Sequence, residues 1–597
     1  MKHAVYDITW TCIFLLNVSA VVMSFGSPWG ARDEFSASLF LVPMAIISIA
    51  AVCANIIVTD IAAEYVCILI GTIKLQRRTA RSVSSGIFPL AVSIGTEPYL
   101  VVYCLKSKLA SDVTNVLGNL EQSWVNNKYY SNAVYLILSG THDEELYQEE
   151  MDAVINWNLS HSENGVVCKY LRRTRSILYK YGQYLDLMML LNGHDGSQGV
   201  ALFKDSLSEG GGCFDVNTDV DDFKGRVEYD RLVILDRDNV LGDNFFVKSD
   251  RVFGNNKCGG EIDIIQPAIV PFGTESRLAT LYEAISIYSH EMGSKLSRPR
   301  REYFPSATFF GKGVIRRTKY NDILMGYNPE TFTTEEDTRI PRDLVSHDII
   351  ESSIMKCVKD SSLEIFEGFP STFLEWHVRQ SRWDRGDMIL SKYLFAFTYG
   401  FLANVFSLFS NWKCVPFYRS FSSRTTVYTG TFNSRVISVR PLIVTAALLY
   451  SVLRGNAMFM VLFSIYNVEI LVLPFMAKLA TSTPFYKVLL LTIYDVYMGA
   501  MDIFYGSART FRALISIACG GSGWVPSGDL SCTPFETMIK FGGCVLVELV
   551  FATCILILFI KKSINDGGFN ETYLAIIMWM AMVVCHPVYV FVTAHKF

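Results

Sequence analysis

Long apolar runs stand at both ends of the chain, and only short ones fill the middle. A bilayer core needs about 20 consecutive apolar residues in a helix. Residues 8–25, "ITWTCIFLLNVSAVVMSF", and residues 37–58 approach or meet that length. No small-x-small cleavage site follows the first run and a second run comes at once, so it reads as a span rather than a signal peptide. A third stretch, 62–73, is too short to span alone. The basic run from Lys74 to Arg81 follows it and predicts a cytoplasmic side. Beyond Asp387 the further candidate spans are 439–453, 457–476, 545–560 and 573–592, making six with both termini cytoplasmic. Lys561 and Lys562 then fall on the outer side, against the positive-inside trend. Residues 388–409, apolar but carrying Lys392 and several aromatics, and 486–504, amphipathic with Asp495 and Asp502, fit helices lying in the interface.

The middle follows another rhythm. "PYLVVYCL", "NAVYLIL", "GVVCKYL" and "YDRLVILD" read as short buried strands, and polar stretches of helical length separate the first three. Strands alternating with helices predict a parallel sheet in an α/β domain. The Gly- and Asp-rich segment Leu207–Gly225 reads as a mobile loop. The organisation is therefore 1–81, two membrane helices with a basic flank; 82–387, a cytoplasmic α/β domain; and 388–597, interfacial helices and about four more spans.

Composition supports this division. The 597 residues are 51% hydrophobic, too apolar for an ordinary soluble enzyme, yet 18% are charged, too many for a chain of spans alone. The net charge of −4 points away from nucleic acid as a partner. The 14 cysteines form no C-x-x-C pair and read as buried thiols, and no H-E-x-x-H follows His290-Glu291.

Chemistry concentrates in four stretches of the middle domain. In "VILDRDNV" an apolar strand ends in Asp236-x-Asp238, at the kind of edge where α/β sheets bind ligands. Two carboxylates there suit Mg2+ or Mn2+ facing a diphosphate, although an acidic strand-to-loop turn has the same look. "FFGKGV" offers Gly311 and Gly313 for close backbone approach and Lys312 for an anion; it lacks the full phosphate-loop pattern, and an ordinary glycine turn is the plain alternative. "LVSHDIIES" places Asp348 at the start of a helical pattern, as an N-terminal charge or as a general base, with Glu335, Glu336 and Asp337 competing for the latter role. "RQSRWDRGD" brings Arg379, Arg382 and Arg385, guanidinium groups for phosphate, and Trp383, an indole face for a sugar; an interfacial Arg/Trp belt is the plain alternative.

In this order the four stretches resemble the processive, membrane-embedded family 2-like glycosyltransferases, among them cellulose, chitin and hyaluronan synthases. Arg379 stands where their Q-x-x-R-W pattern has Gln. "FFGKGV", "LVSHDIIE", "ILDRDNV", "GEIDIIQPAIV" and "FEGFPSTFLEWHVRQSRWDRGD" look most like the glycosyltransferase domain of cyclic β-1,2-glucan synthases. The resemblance is clear from Arg231 to Asp387 and fainter from Pro98 to Gly193.

The resemblance implies a GT-A-like, Rossmann-related α/β domain inserted between transmembrane helices. It implies that Asp236 and Asp238 meet the UDP diphosphate and its Mg2+ or Mn2+. Asp348 is then the base, Arg382 holds the diphosphate, and Trp383 stacks on the acceptor sugar. Arg379, Gln380, Gly311, Lys312, Gly313, Lys180 and Asp143 join the substrate-binding set. Lys180 matches a family lysine, while Gln183 replaces another. Trp524, in a stretch near 519–528, resembles the tryptophan of a cytoplasmic gating segment.

The implied activity is an inverting transferase that builds a β-linked glucan from UDP-glucose and exports it. The implied partners are the UDP-sugar, the growing polysaccharide and the lipid bilayer of a plasma or secretory-pathway membrane. The sequon at Asn570 is usable only in a secretory membrane. UDP-GlcNAc or another UDP-HexNAc as donor, a non-processive lipid-linked transferase, and a transporter with a nucleotide-binding domain are the competing readings. At this length there is no room for the cyclising and trimming domains of the bacterial enzymes.

Overall fold

The structure is a computed structural model. It describes residues 65–76, 97–174, 179–193, 213–254, 262–272, 288–296, 309–324, 355–370, 373–389 and 472–501, with isolated positions elsewhere. The stretch near Trp524, nearly all of the interfacial candidate 388–409 and nearly all of the six candidate spans lie outside these residues. No helix among the described residues is long and apolar enough to cross a membrane.

The four strands expected from the apolar runs form as β1 (Tyr99–Leu105), β2 (Ala133–Ser139), β3 (Cys168–Arg172) and β4 (Arg231–Asp236). They are parallel neighbours in the order β3-β2-β1-β4, one half of a doubly wound sheet. β1, β2 and β4 are apolar on both faces along their interiors, as a sheet covered on both sides requires, while the edge strand β3 carries Lys169 and Arg172. Along β1 the side chains alternate: Leu100 and Val102 enter one core, Tyr99, Val101 and Tyr103 the other. Helices α1 (Ser111–Asn126) and α2 (Glu144–Ser160) cover the second face. Helix α3 (Tyr179–Leu191) and the short α4 (Val220–Phe223) cover the first.

The other half departs from the expected all-parallel sheet. Strands β5 (Asn239–Leu241), β6 (Ile264–Phe272), β7 (Gly313–Arg316) and β8 (Cys357–Gly368) complete eight strands in the order β3-β2-β1-β4-β7-β6-β8-β5. β7 runs antiparallel to β4 and β6, and β5 antiparallel to β8, so the sheet is mixed. Close approach at β7 requires glycine. Gly313 has φ +149, and a Cβ there would lie 2.3 Å from the Ile265 carbonyl oxygen.

The described part of the Gly/Asp segment is ordered against the sheet edge. Phe214 bridges Arg173, and Asp219 both donates its amide to Tyr170 O (3.0 Å) and accepts the Tyr170 amide (2.7 Å). This covers the exposed backbone of β3.

Helix α5 (Phe245–Gly254) lies on the α1 side of the sheet, α6 (Arg317–Leu324) follows β7, and α7 (Phe373–Ile389) follows β8. Downstream, α8 (Leu473–Ala480) and α9 (Phe485–Met501) pack on the helical residues 288–296. Val488 and Leu491 meet Met292, and Glu291 pairs with Lys487 at 3.4 Å and Lys295 at 2.7 Å.

Candidate active site

The topology gathers the charged motifs at one edge. β4 ends at Asp236, and antiparallel β7 begins beside it, with Gly313 opposite Ile234. The residue before β7, Lys312, therefore arrives next to the residue that ends β4. The pairing of β5 with β8 sets Asn239 opposite Glu367, which brings a third carboxylate to the Asp236–Asp238 turn. Helix α3 starts above the same edge and supplies Lys180.

These groups form a chain of alternating charge. Lys180 Nζ meets Asp236 Oδ1 at 2.7 Å and donates to Gly311 O at 2.8 Å. Lys312 Nζ bridges Asp236 Oδ2 (3.0 Å) and Glu367 Oε2 (2.5 Å). The other Glu367 oxygen accepts from Arg379, whose guanidinium lies 5.3 Å from the Trp383 ring centroid. Glu367, Lys312 and Arg379 are almost buried, while Trp383 is 37% exposed.

The electrostatics follow from this order. Burial opposes ionisation of Asp236, but Lys180 and Lys312 override it and hold the carboxyl far below its usual range. Glu367 is also lowered: burial acts against its charge, and Lys312 and Arg379 outweigh burial. Asp238 goes the other way. Burial and the Glu367 charge raise its carboxyl above the ordinary value, against the pull of Lys312 and Arg379. Arg382 is lowered by burial and by the like charge of Arg379.

This tests the fit of a divalent cation. Asp236 places each oxygen on a lysine ammonium. Asp238 makes no ion pair among the described residues, and burial and the Glu367 charge raise its carboxyl. One carboxylate plus substrate phosphates is an ordinary Mg2+ arrangement, so Asp238 fits as the protein ligand. Asp236 is a partner of Lys180 and Lys312 here. Among the described residues no cluster of three acidic, His or Cys ligands could hold a metal by itself.

Asp348 is half-buried in helical conformation. Three residues on in sequence, fully buried Glu351 accepts from the hydroxyl of Tyr320 on α6, which anchors it to the helix after β7. Gly311 has φ +71, in the left-handed region, where it presents its carbonyl to Lys180. Gln380 and Arg382 are half-buried on α7. Gln183 is buried and donates to Leu105 O (3.0 Å) and Leu138 O (3.3 Å), tying α3 to the ends of β1 and β2. Asp143 caps α2 by accepting the Leu146 amide at 3.1 Å and is exposed.

Glu367 was not singled out by the sequence reading. Its only local signal is an acid at a strand end followed by Gly368, where a Cβ would lie 3.2 Å from Asp238 Oδ2. Its importance comes from holding two buried cations at once. Glu367→Ala leaves Arg379 and Lys312 short of counter-charge and is expected to cost about 3 kcal/mol of stability. Glu367→Gln, which keeps the shape and an acceptor oxygen, is expected to cost less. Thermal midpoints of the two variants against the wild type check this order.

Residues 232–480 match the model of the family Glycosyl transferase family group 2. The match takes in Asp236, Asp238, Lys312, Asp348, Glu367 and Arg379–Trp383, so the chain carries a glycosyltransferase domain of that group. Among characterised proteins, 154 residues are 26% identical to the cyclic beta-(1,2)-glucan synthase NdvB of Rhizobium meliloti (strain 1021). That alignment covers 25% of this chain and 5% of the relative, so the chain spans only a small part of the relative's length. A solved structure, the mannosyltransferase PcManGT from Pyrobaculum calidifontis in complex with GDP-Man and Mn2+, overlaps 76% of this chain and 98% of its own. That overlap is at 10% identity and a TM-score of 0.32.

Proposed function

We propose that the chain is a membrane-embedded, inverting glycosyltransferase with a GT-A-like catalytic domain at residues 82–387, which extends a β-linked glucan from UDP-glucose and passes it across the bilayer. The observation that carries this reading is the cluster of Lys180, Lys312, Arg379 and Arg382 around Asp236, Asp238 and Glu367 at the sheet edge. Four cations against three carboxylates leave the site ready for a polyanion. A sugar nucleotide presents its diphosphate there, with its nucleoside toward the ends of β1 and β2.

The reaction is a single displacement. Asp348 takes the proton of an acceptor hydroxyl, whose oxygen attacks the anomeric carbon while the bond to the diphosphate oxygen breaks. The lysines and arginines receive the charge that develops on the departing diphosphate, fixed in place before the reaction begins. Mg2+ or Mn2+ held by Asp238 would supply further positive charge to the same oxygens. Trp383 offers its exposed face to the acceptor sugar, and Arg379 stacked near the ring fixes its orientation. Inversion converts an α-linked donor to a β-linked product.

Membrane embedding is supported by the apolar runs of the sequence and by α9. Phe485, Tyr486, Leu489, Leu490 and Ile493 are exposed on α9, while Val488 and Leu491 pack on the catalytic domain. An amphipathic helix with its apolar face outward suits the interfacial plane.

The test is a donor panel of UDP-glucose, UDP-GlcNAc and UDP-GalNAc on purified chain with Mg2+ or Mn2+, followed by linkage and size analysis. UDP-glucose is expected to give a long β-linked glucan. A single sugar on lipid would replace the polymerase reading by a lipid-linked transferase, and no sugar transfer from any donor would overturn the enzyme reading.

A further inference from the structure

Helix α1 carries a polar stripe that nothing in the reaction scheme uses. Asp112, Asn119, Ser123 and Asn126 recur at helical spacing and lie along one face. Each is bonded to the chain that follows β4. Asn119 donates to Arg237 O (2.9 Å), Ser123 accepts the Leu241 amide (2.9 Å), and Asn126 donates to Leu241 O (2.7 Å). The Asp236–Asp238 turn is thus held from outside by α1, and from within by Asn239 accepting the Asp236 amide at 2.8 Å.

Asp112 differs from the others because it holds two loops. Its Oδ2 accepts the amides of Lys108 (2.9 Å) and Leu109 (3.2 Å), in the loop that leaves β1. Its Oδ1 meets Arg237 Nη1 at 2.8 Å, in the middle of the Asp236–Asp238 turn. The β1 loop is fixed further on by Ser107, whose amide donates to Thr141 Oγ1 at the end of β2 (2.8 Å). One buried carboxylate therefore spans the gap between the loop at the nucleoside end of the sheet edge and the turn at the diphosphate end.

We propose that Asp112, through Arg237, is a positioning residue that sets the distance between the nucleoside and diphosphate halves of the donor site. This rests on the donor reading given above. A donor that touches both halves feels that spacing; a ligand that fills only one half does not. Loss of the pair removes the link between the β1 loop and the turn, so the loop shifts relative to the turn, while Asn119, Ser123 and Asn126 keep the turn on α1 and the sheet intact.

The experiment compares wild type, Asp112→Asn, Arg237→Met and the double variant as full chains. Binding of UDP and UMP, GDP and GMP, and ADP and AMP is titrated, and the pair that binds wild type is used. The expected result is a fall of about tenfold in diphosphate affinity in each single variant, with monophosphate affinity unchanged and the double variant no worse than either single one. Arg237 is partly exposed and leaves the Lys108 and Leu109 amides capped, so Arg237→Met reports even where Asp112→Asn loosens the start of α1. If wild type binds a diphosphate and the variants match it, or if mono- and diphosphate affinities fall together, the positioning role is wrong. A wild-type chain that binds none of the six overturns the donor reading and this inference with it.

Discussion

Replacing Asp348 by Asn is expected to reduce sugar transfer by about 10³-fold and to leave nucleotide binding near wild type. The expectation follows from the division of labour in the site. General-base catalysis contributes about 10²–10⁴-fold when the base sits at the transferring proton. Asn keeps the size of Asp and its ability to accept a hydrogen bond, but it takes no proton. In the proposed reaction the diphosphate contacts belong to Lys180, Lys312, Arg379 and Arg382, on other elements. The measurement is turnover of the donor beside nucleotide affinity. Near-normal polymer yield from Asp348→Asn would remove Asp348 from the role and return attention to Glu335, Glu336 and Asp337. A parallel loss of binding and turnover would mean that the change disturbs the segment anchored by Tyr320 and Glu351 rather than the chemistry.

Much of the first half of the fold was readable from pattern. The runs around Leu100, Leu136 and Ile234 are apolar on both faces, and helices lie between β1, β2 and β3, which is how a covered parallel sheet is written. The second half was less legible for local reasons. β7 has only four residues, too few to show a periodicity, and its close approach to β6 depends on Gly313, where a Cβ would lie 2.3 Å from Ile265 O. β8 carries Lys359, Asp360, Glu364 and Glu367 within its span, so its composition argues against a buried strand.

The site shows the same division. Asp236, Lys312 and Arg379 were legible because each sits in a motif of unusual composition. Lys180 was legible through resemblance, and the structure places it on Asp236. Glu367 was not, because a single acid gains meaning only from partners 55 and 12 residues away in sequence, Lys312 and Arg379. The carboxylate pair also diverged on folding. Identical residue types one position apart ended in opposite environments, Asp236 saturated by lysines and Asp238 raised by burial and by Glu367. Sequence spacing placed both at the edge but did not say which one pairs with the lysines.

The central claim is that the cations at this edge receive a nucleoside diphosphate. Lys180 and Lys312 carry it most directly, since both approach Asp236 and both face the place where the diphosphate is put. Charge-assisted hydrogen bonds to phosphate are among the stronger polar contacts, at about 1.5–3 kcal/mol each. Removing two such donors is therefore expected to cost on the order of 100-fold or more in affinity. The decisive measurement is calorimetric titration of UDP into the wild-type chain and into the Lys180→Met/Lys312→Met double variant, with thermal unfolding of both as the check on folding. Saturable binding to wild type and a loss of about 100-fold or more in a folded double variant is the predicted result. Equal affinity in the two would contradict the account, because the diphosphate would then be held somewhere other than the edge where β4 meets β7.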